Sequence, residues 1–360
     1  MRDFIKKYKK NFFIVFLIGF GIYFYILSKH NAKEIFIKIK NIHINYIIIV
    51  FILLLAYVAL ESLVIFLFAK KKVKGIGFFT AFRLNLSTQF FNSITPFAAG
   101  GQPFQVFYLN ARGIKTKDST SIILMNFITY NIAFVIVGFT CLLYRFNYFN
   151  NLLKGEGYKY ILLIGFGVNL SVTLLTFVLA FSKKIYHILI EVIWLKIIHW
   201  PILRKFKLET KTEKIEKTID DFNREIKELN HHKLLWVQAV FYHILRIVLF
   251  YAIPLFIFMA LGESVHGNEA NLVVGAIFVA MVMSYIPSPG ASGGAEGLFY
   301  VIFSFFFQKG ALAPALLLWR FITYYFYLLL GFIALLTLNY TKNLREINYP
   351  EETLATKESI

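Results

Sequence analysis

Long apolar runs dominate this sequence and constrain its fold more than any other feature. Residues 44–69 contain a single charged side chain, that of Glu61. An α-helix needs about 20 mainly apolar residues to cross the hydrocarbon core of a bilayer. Full-length spans are predicted at six places, 11–27, 44–69, 119–143, 160–182, 234–261 and 311–339. The sequence therefore predicts an all-α polytopic membrane protein.

Composition and charge agree with this class. Hydrophobic residues make up 58% of the chain and charged residues 16%, whereas soluble domains are about half apolar and about a quarter charged. The net charge of +18 comes from Lys and Arg in short loops beside apolar runs, as in membrane proteins. Nucleic acid is therefore not expected as a partner. The single cysteine, Cys141, allows no intrachain disulfide.

Two further apolar stretches, 76–110 and 272–308, are broken near their middles by Pro and Gly. We expect each to form a re-entrant hairpin, so that residues 1–340 make one integral membrane domain. The polar segment 183–233 carries an apolar stripe with helical spacing, which predicts an amphipathic helix on the cytoplasmic face. A short dimerising coiled coil, and hence a homo-oligomer, is the alternative. Residues 341–360 are predicted to be a disordered cytoplasmic tail.

The distribution of Lys and Arg predicts that both termini are cytoplasmic. With this orientation, inside segments contain 27 of the 38 basic residues and outside segments contain 8. The exception is the first outside loop, with Lys29, Lys33, Lys38 and Lys40. The apolar run 11–27 is interpreted as an uncleaved first helix, because no small-residue cleavage site follows it.

A duplicated motif lies at the two breaks. Residues 95–101 and 288–294 share the pattern P-x-A-[AS]-G-G at a separation of 193 positions. Farther along, 126–130 matches 320–324 at a separation of 194. The predicted orientation makes the two halves inverted, related by a pseudo-two-fold axis in the membrane plane, as in many secondary transporters.

The chemistry of the motif suits a ligand site. Pro breaks a helix, and Gly permits positive φ and close backbone approach. Backbone groups freed in a membrane are tolerated only where protein or a watery cavity satisfies them, and the start of a helix favours anions. Two such breaks would form a phosphate-binding cavity; the alternative is two kinked helices packed through small residues.

Five ionisable residues lie in apolar surroundings, where charges are costly and usually line a cavity or form pairs. We expect Arg320 to pair with Glu296 or to face a lipid phosphate. Arg83 is expected to play the matching role in the cytoplasmic half, with Gln89, Asn92, Gln102 and Gln105 as polar neighbours. Arg246 either snorkels or pairs, and Glu61 is expected to pair with an arginine that the sequence does not identify.

The sequence predicts no catalytic residues, no cofactor and no metal. His231, His232 and His243 have no Cys or carboxylate at ligand spacing, and no phosphate-binding loop or nucleophile elbow is present. The predicted substrate-binding set is Arg83, Gly100, Gly101, Gln102, Gln105, Gly293, Gly294, Glu296, Arg320 and Tyr324.

The two Pro-Gly motifs and the helix with Arg320, Thr323, Tyr324 and Tyr325 resemble the membrane region of lysylphosphatidylglycerol synthases, a flippase-like family, over about residues 10–340. The resemblance implies a prokaryotic plasma membrane and movement of modified lipids between leaflets. Full-length enzymes of that type add a soluble domain that transfers lysine from charged tRNA to phosphatidylglycerol. Such a domain is not expected in the short tail, so the chain is not expected to be a self-contained enzyme. By family similarity alone it would be named a phosphatidylglycerol lysyltransferase. In many relatives of that family the first motif carries an acidic residue after the Gly pair and an Arg soon after it. Gln102 and Gln105 stand near those places in this sequence, which argues against a charged site on the cytoplasmic side.

The leading hypothesis is therefore a translocase for an anionic or aminoacylated phospholipid, or for a glycolipid. With no ATP motif, movement would be passive or ion-coupled, and Glu296 is a candidate proton carrier. Two alternatives remain. One is a lipid-modifying protein, or the membrane partner of a separate lipid synthetase. The other is a small-solute secondary transporter.

Overall fold

A computed structural model describes residues 31–73, 75–152, 158–181, 233–284 and 286–338, with the isolated positions 17, 21, 24 and 28. Regular structure in these ranges is entirely helical. The first helices are α1 (Ala32–Lys40), α2 (Ile44–Lys72), α3 (Phe78–Ile94), α4 (Gly101–Ala111), α5 (Thr116–Leu152) and α6 (Tyr158–Phe181). The later helices are α7 (Lys233–Tyr251), α8 (Ile253–Ala260), α9 (Glu269–Met283), α10 (Gly294–Phe303), α11 (Lys309–Arg320) and α12 (Tyr327–Thr337).

Four predicted spans are confirmed as helices long and apolar enough to cross a membrane, at Ile44–Lys72, Thr116–Arg145, Lys233–Ala260 and Gly310–Thr337. The predicted span 160–182 coincides with the helix α6, which runs from Tyr158 to Phe181. The predicted segments 11–27, 183–233 and 341–360 lie outside the described residues, apart from isolated positions in the first and residue 233 at the end of the second. The chain is an all-helical, multi-pass membrane protein.

Both Pro-Gly stretches are helices interrupted at their motifs. A 3₁₀ turn, Pro96–Ala98, separates α3 from α4, and a second, Pro289–Ala291, lies between α9 and α10. The residue before a proline is driven to extended backbone, and Thr95 accordingly has φ −119° and ψ 143°. Proline therefore ends the regular backbone at the motif, and the Gly pair begins a new helix.

The order of elements around the first break recurs around the second. Corresponding elements begin 193 positions apart in the two halves. The pairs of first residues are Pro96 and Pro289, Gly101 and Gly294, and Thr116 and Lys309. In each half, long helical structure comes before and after the broken pair. The sequence repeat thus coincides with a repeat of helices and turns.

Packing brings the two turns together. The first hairpin contributes Phe91 and Phe104 to one apolar cluster, and the second contributes Phe299 and Phe303 to another. Helix α12 packs along α3, and α7 packs on both α2 and α5. The turns Pro96–Ala98 and Pro289–Ala291 contact one another, so the two motifs form one region of the protein.

Candidate functional site

The two turns have the same unusual backbone. Phe97 has φ 55° and ψ 18°, and Gly290, at the corresponding position, has φ 61° and ψ 21°. The next residues, Ala98 and Ala291, both have φ 53°. Within the described ranges, Phe97, Ala98 and Ala291 are the non-glycine residues with positive φ. Such residues cost about 1–3 kcal/mol each and cluster at functional sites, so the strain is concentrated where the turns meet.

The hydrogen bonds of the turns also correspond. The amide of Ala98 donates to the carbonyl of Thr95 at 3.3 Å, and that of Ala291 donates to Ser288 at 2.9 Å. The hydroxyl of Thr95 accepts from the amide of Gly100 at 2.9 Å. These local bonds satisfy part of the backbone that the broken helices expose, as a membrane environment requires.

Tyr324 joins the second turn to the first hairpin. Its ring lies so close over Gly290 that a Cβ there would overlap it. Its hydroxyl donates to the backbone carbonyl of Ser93, near the end of α3, at 2.8 Å. The absence of a side chain at position 290 therefore permits the contact that connects the two halves.

The predicted ion pair between Glu296 and Arg320 is present beside this contact. The Nε of Arg320 donates to one carboxylate oxygen at 2.6 Å, and the two side chains are 5% and 9% exposed. The other carboxylate oxygen accepts from the amide of Gly293 at 2.7 Å. Glu296 thus holds the guanidinium and caps the start of α10 at the same time.

The remaining nitrogens of Arg320 are used unequally. Nη1 donates to the carbonyl of Gly290 at 3.1 Å. The guanidinium carbon lies 5.2 Å from the centroid of the Trp319 ring and 5.4 Å from that of Tyr324, within the range of cation–π attraction. Nη2 is buried and has no hydrogen-bond partner among the residues that the structure describes. One strong donor at the junction therefore remains available to an acceptor.

A π-helical segment, Phe321–Phe326, follows Arg320 directly and separates α11 from α12. π-helical turns within α-helices are rare and occur frequently at functional sites. This one places Tyr324 in contact with Arg320 and with Gly290. It was not predicted from the sequence, which carries only a continuous apolar pattern here.

The structure divides the predicted set of binding residues. Gly293, Gly294, Glu296, Arg320 and Tyr324 come together at the second turn. In the first hairpin, Gly100 and Gly101 lie at the start of α4, Gln105 is buried, and Gln102 is exposed.

The predicted polar neighbours in the first hairpin form a separate contact. Asn92 donates to the side chain of Gln89 at 3.3 Å. Arg83 is exposed on α3, and no contact places it with the Glu296–Arg320 pair.

The structure contains a second buried ion pair, for which the sequence predicted the acidic residue but did not identify the arginine. Arg246 on α7 lies 2.9 Å from the carboxylate of Glu61 on α2, and the side chains are 4% and 13% exposed. Arg246 also donates to the hydroxyl of Tyr57 at 2.9 Å and lies 4.9 Å from the ring centroid of Tyr130. The snorkelling interpretation of Arg246 is therefore wrong, because the side chain is buried. The arginine expected beside Glu61 is Arg246.

Among the described residues, no group of three or more His, Cys, Asp or Glu side chains is placed to hold a metal ion. His243, one of the histidines considered above, is buried next to Arg246, with its Nδ1 3.5 Å from Nη1. His231 and His232 lie outside the described residues.

The fold and the site define a helical, multi-pass membrane protein in which two broken helical hairpins contact one another beside a buried ion pair. The chain belongs to the family described as the lysylphosphatidylglycerol synthase TM region, whose family model matches residues 12–331. It is similar to a UPF0104 membrane protein from Archaeoglobus fulgidus. The two are 26% identical over 333 residues, which cover 86% of this chain and 92% of that protein.

Proposed function

We propose that this protein moves phospholipids between membrane leaflets, and that the lipid head group passes the junction of the two turns. The substrates would be anionic or aminoacylated phospholipids, lysylphosphatidylglycerol among them, or glycolipids. The observation that carries the proposal is the buried Glu296–Arg320 pair beside the contact of the two turns, with Nη2 of Arg320 lacking a hydrogen-bond partner among the described residues. Intramembrane ionisable residues commonly mark substrate or ion pathways.

The pair is chemically complementary to a lipid head group. A guanidinium recognises phosphate through charge-assisted hydrogen bonds, and Nη2 of Arg320 has an unused donor for it. An aminoacylated head group adds an ammonium, for which the carboxylate of Glu296 is an acceptor. The two charges lie 2.6 Å apart, so a head group with both signs could exchange partners with them without exposing an unpaired charge.

The first hairpin supplies a second region that favours anions. Helix α4 begins at Gly101, just after the Gly100 amide that donates to the hydroxyl of Thr95. Its N-cap residue, Gly100, has no side chain to bind the amides that follow. Uncapped N–H groups at a helix start attract phosphate. The contact between the two turns places this helix start and the ion pair in adjoining parts of the fold.

The recurrence of elements supports inverted halves. The matched turns and helix starts, 193 positions apart, are consistent with two structural repeats. The Lys and Arg distribution then predicts that both termini are cytoplasmic and that the second repeat is inverted relative to the first. The family resemblance implies the plasma membrane of a prokaryote as the location. In such architectures, alternating access arises from motion of one repeat against the other.

A leaflet-translocation assay tests this proposal. Purified protein is reconstituted into liposomes with phospholipids labelled at the head group, and an impermeant quencher then reports the accessible fraction. We expect quenching to exceed that in protein-free liposomes for anionic and lysylated lipids. The variant Glu263→Gln is the matched control, because it breaks the more exposed Lys38–Glu263 pair on another part of the protein.

Two other outcomes would redirect the assignment. Equal quenching with and without protein, accompanied by uptake of a small solute, would contradict lipid translocation and favour a secondary transporter. Equal quenching, combined with altered lipid composition in cells lacking the protein, would favour a lipid-modifying role or partnership with a separate synthetase.

A further inference from the structure

Helix α1 has two dissimilar faces. Ile35 is buried and Ile39 partly buried, and both pack in the apolar cluster that includes α11. Lys38, beside this face, pairs with Glu263 at 2.6 Å. The side chain of Asn31 caps the helix by accepting from the amide of Lys33 at 3.1 Å. The helix is therefore fixed to the protein along one side.

The opposite side is an unpartnered stripe. Phe36 is 69% exposed and Ile37 is 48% exposed. Lys33 and Lys40, which are also exposed, lie one to two turns of helix apart with the apolar pair between them. Residues three and four positions apart share a helix face, so these four side chains form one continuous surface. We name it the Lys33–Lys40 stripe.

The acidic residue of α1 lies away from this stripe. Glu34 is exposed on a third side of the helix, where its carboxylate accepts from Asn31 at 2.9 Å. A surface with two apolar side chains, two cations and no anion is typical of helices that lie in the lipid–water interface.

The position of α1 in the fold agrees with an interfacial location. The membrane-crossing helix α2 begins at Ile44, four residues after α1 ends. The amide of His43 in this short connection donates to the carbonyl of Ala260, the last residue of α8, at 2.8 Å. Helix α1 is thus held where two membrane helices end.

From these observations we infer that α1 is an interfacial helix that binds the anionic surface of the bilayer. Phe36 and Ile37 enter the boundary of the acyl chains, and Lys33 and Lys40 bind lipid phosphates. This assignment gives a role to two of the four lysines in the loop predicted to be outside, Lys33 and Lys40, while Lys38 pairs with Glu263. It holds whether or not the protein translocates lipid, because it rests only on α1 and its attachments.

Fluorescence quenching tests the location of the helix. In a Cys141→Ala background, Phe36→Cys is labelled with an environment-sensitive dye in vesicles whose phosphatidylcholine carries a nitroxide near the head group. We expect strong quenching at position 36 and little at Glu34→Cys, the matched control. A water-like, unquenched signal at position 36 would overturn the inference.

A second comparison tests the recognition of anions. Nitroxide-labelled phosphatidylglycerol should quench position 36 more than labelled phosphatidylcholine does. The preference should fall about fivefold for each of Lys33→Gln and Lys40→Gln, and it should weaken at high salt. Neither lysine side chain forms a hydrogen bond or an ion pair with another described residue, so both variants should keep native helicity. An unchanged preference would refute the role of the lysines.

Discussion

The guanidinium of Arg320 makes several interactions at once within an apolar, membrane-crossing segment. An arginine carries five N–H donors. Here Nε binds Glu296, Nη1 binds the carbonyl of Gly290, and Nη2 has no partner in the described part of the chain. Isolated charges at the centre of a membrane helix cost about 2.5–3.5 kcal/mol on insertion scales. The pair with Glu296 offsets that cost and fixes the direction of the remaining donor.

Neutralising one partner should therefore be more harmful than neutralising both. Glu296→Gln leaves the Arg320 charge buried, and we expect a loss of about 3–5 kcal/mol in the free energy of unfolding. The double variant Glu296→Gln/Arg320→Gln should recover a large part of that loss. Glu263→Gln, at the more exposed pair, should cost less than about 1 kcal/mol.

Chemical or thermal unfolding of the purified variants in detergent measures these differences. Equal stability of the single and double variants would show that the charge on Arg320 is not held by Glu296.

Gly290 gives a second prediction at the residue scale. Its φ is 61°, and a Cβ would overlap the ring of Tyr324, so Gly290→Ala should displace that ring and lower the midpoint of thermal unfolding. Gly297 is the matched control, because no atom lies within 4 Å of a Cβ built there. In helix α10, Gly297→Ala should be neutral or raise stability by up to about 1 kcal/mol. Equal midpoints for the two variants would contradict the close packing at position 290.

The sequence allowed the Glu296–Arg320 pair to be predicted, because the two charges lie in apolar segments beside a recognisable motif. It could not pair Glu61 with Arg246, since those helices are distant in the chain and only the packing of α7 on α2 brings them together. The contact of Ser93 with Tyr324 could not be predicted either, because the backbone carbonyl of Ser93, and not its side chain, accepts the hydrogen bond.

At the scale of elements, the hydroxyl of Tyr324 bonds the π-helical segment, whose Tyr324 ring covers Gly290 of the second turn, to the first hairpin. Tyr324→Phe removes the bond to the carbonyl of Ser93 and keeps the ring over Gly290. We expect a loss of about 0.5–1.5 kcal/mol in the free energy of unfolding. Tyr144→Phe, at an exposed residue, should have almost no effect in the same measurement. Equal effects would show that the bond contributes nothing to holding the hairpins together.

Helix boundaries show what an apolar pattern can and cannot predict. The run 119–143 marked the apolar part of α5, but the helix extends from Thr116 to Leu152, because hydrophobicity reports contact with lipid and not where hydrogen bonding ends. The Pro-Gly breaks were predictable, since Pro and Gly have direct backbone consequences. The π-helical segment was not, because no residue type specifies it.

At the scale of the whole molecule, the proposed inverted arrangement predicts on which side of the membrane each hairpin ends. Ala111, at the end of α4, and Gln308, before α11, are both exposed. In a Cys141→Ala background, an impermeant maleimide should label Ala111→Cys from the cytoplasmic side and Gln308→Cys from the opposite side of sealed vesicles. Labelling of both from one side would exclude inverted halves.

The class of the protein was the most predictable property at this scale. Long apolar runs predicted a membrane protein, and the repeated motif predicted that the two helix breaks form a shared site. Their direct contact depended on the tertiary packing of the hairpins and on Tyr324 over Gly290, which no local pattern encodes.

The most direct test of the account is the leaflet-translocation assay on the doubly neutralised variant. Glu296→Gln/Arg320→Gln removes both charges without leaving one buried alone, so the protein should remain folded while its head-group site is lost. We predict that movement of phosphatidylglycerol and of lysylphosphatidylglycerol falls to the level of protein-free liposomes, while Glu263→Gln keeps the native rate. Translocation at the native rate by the folded double variant would contradict the claim that lipid head groups pass this ion pair.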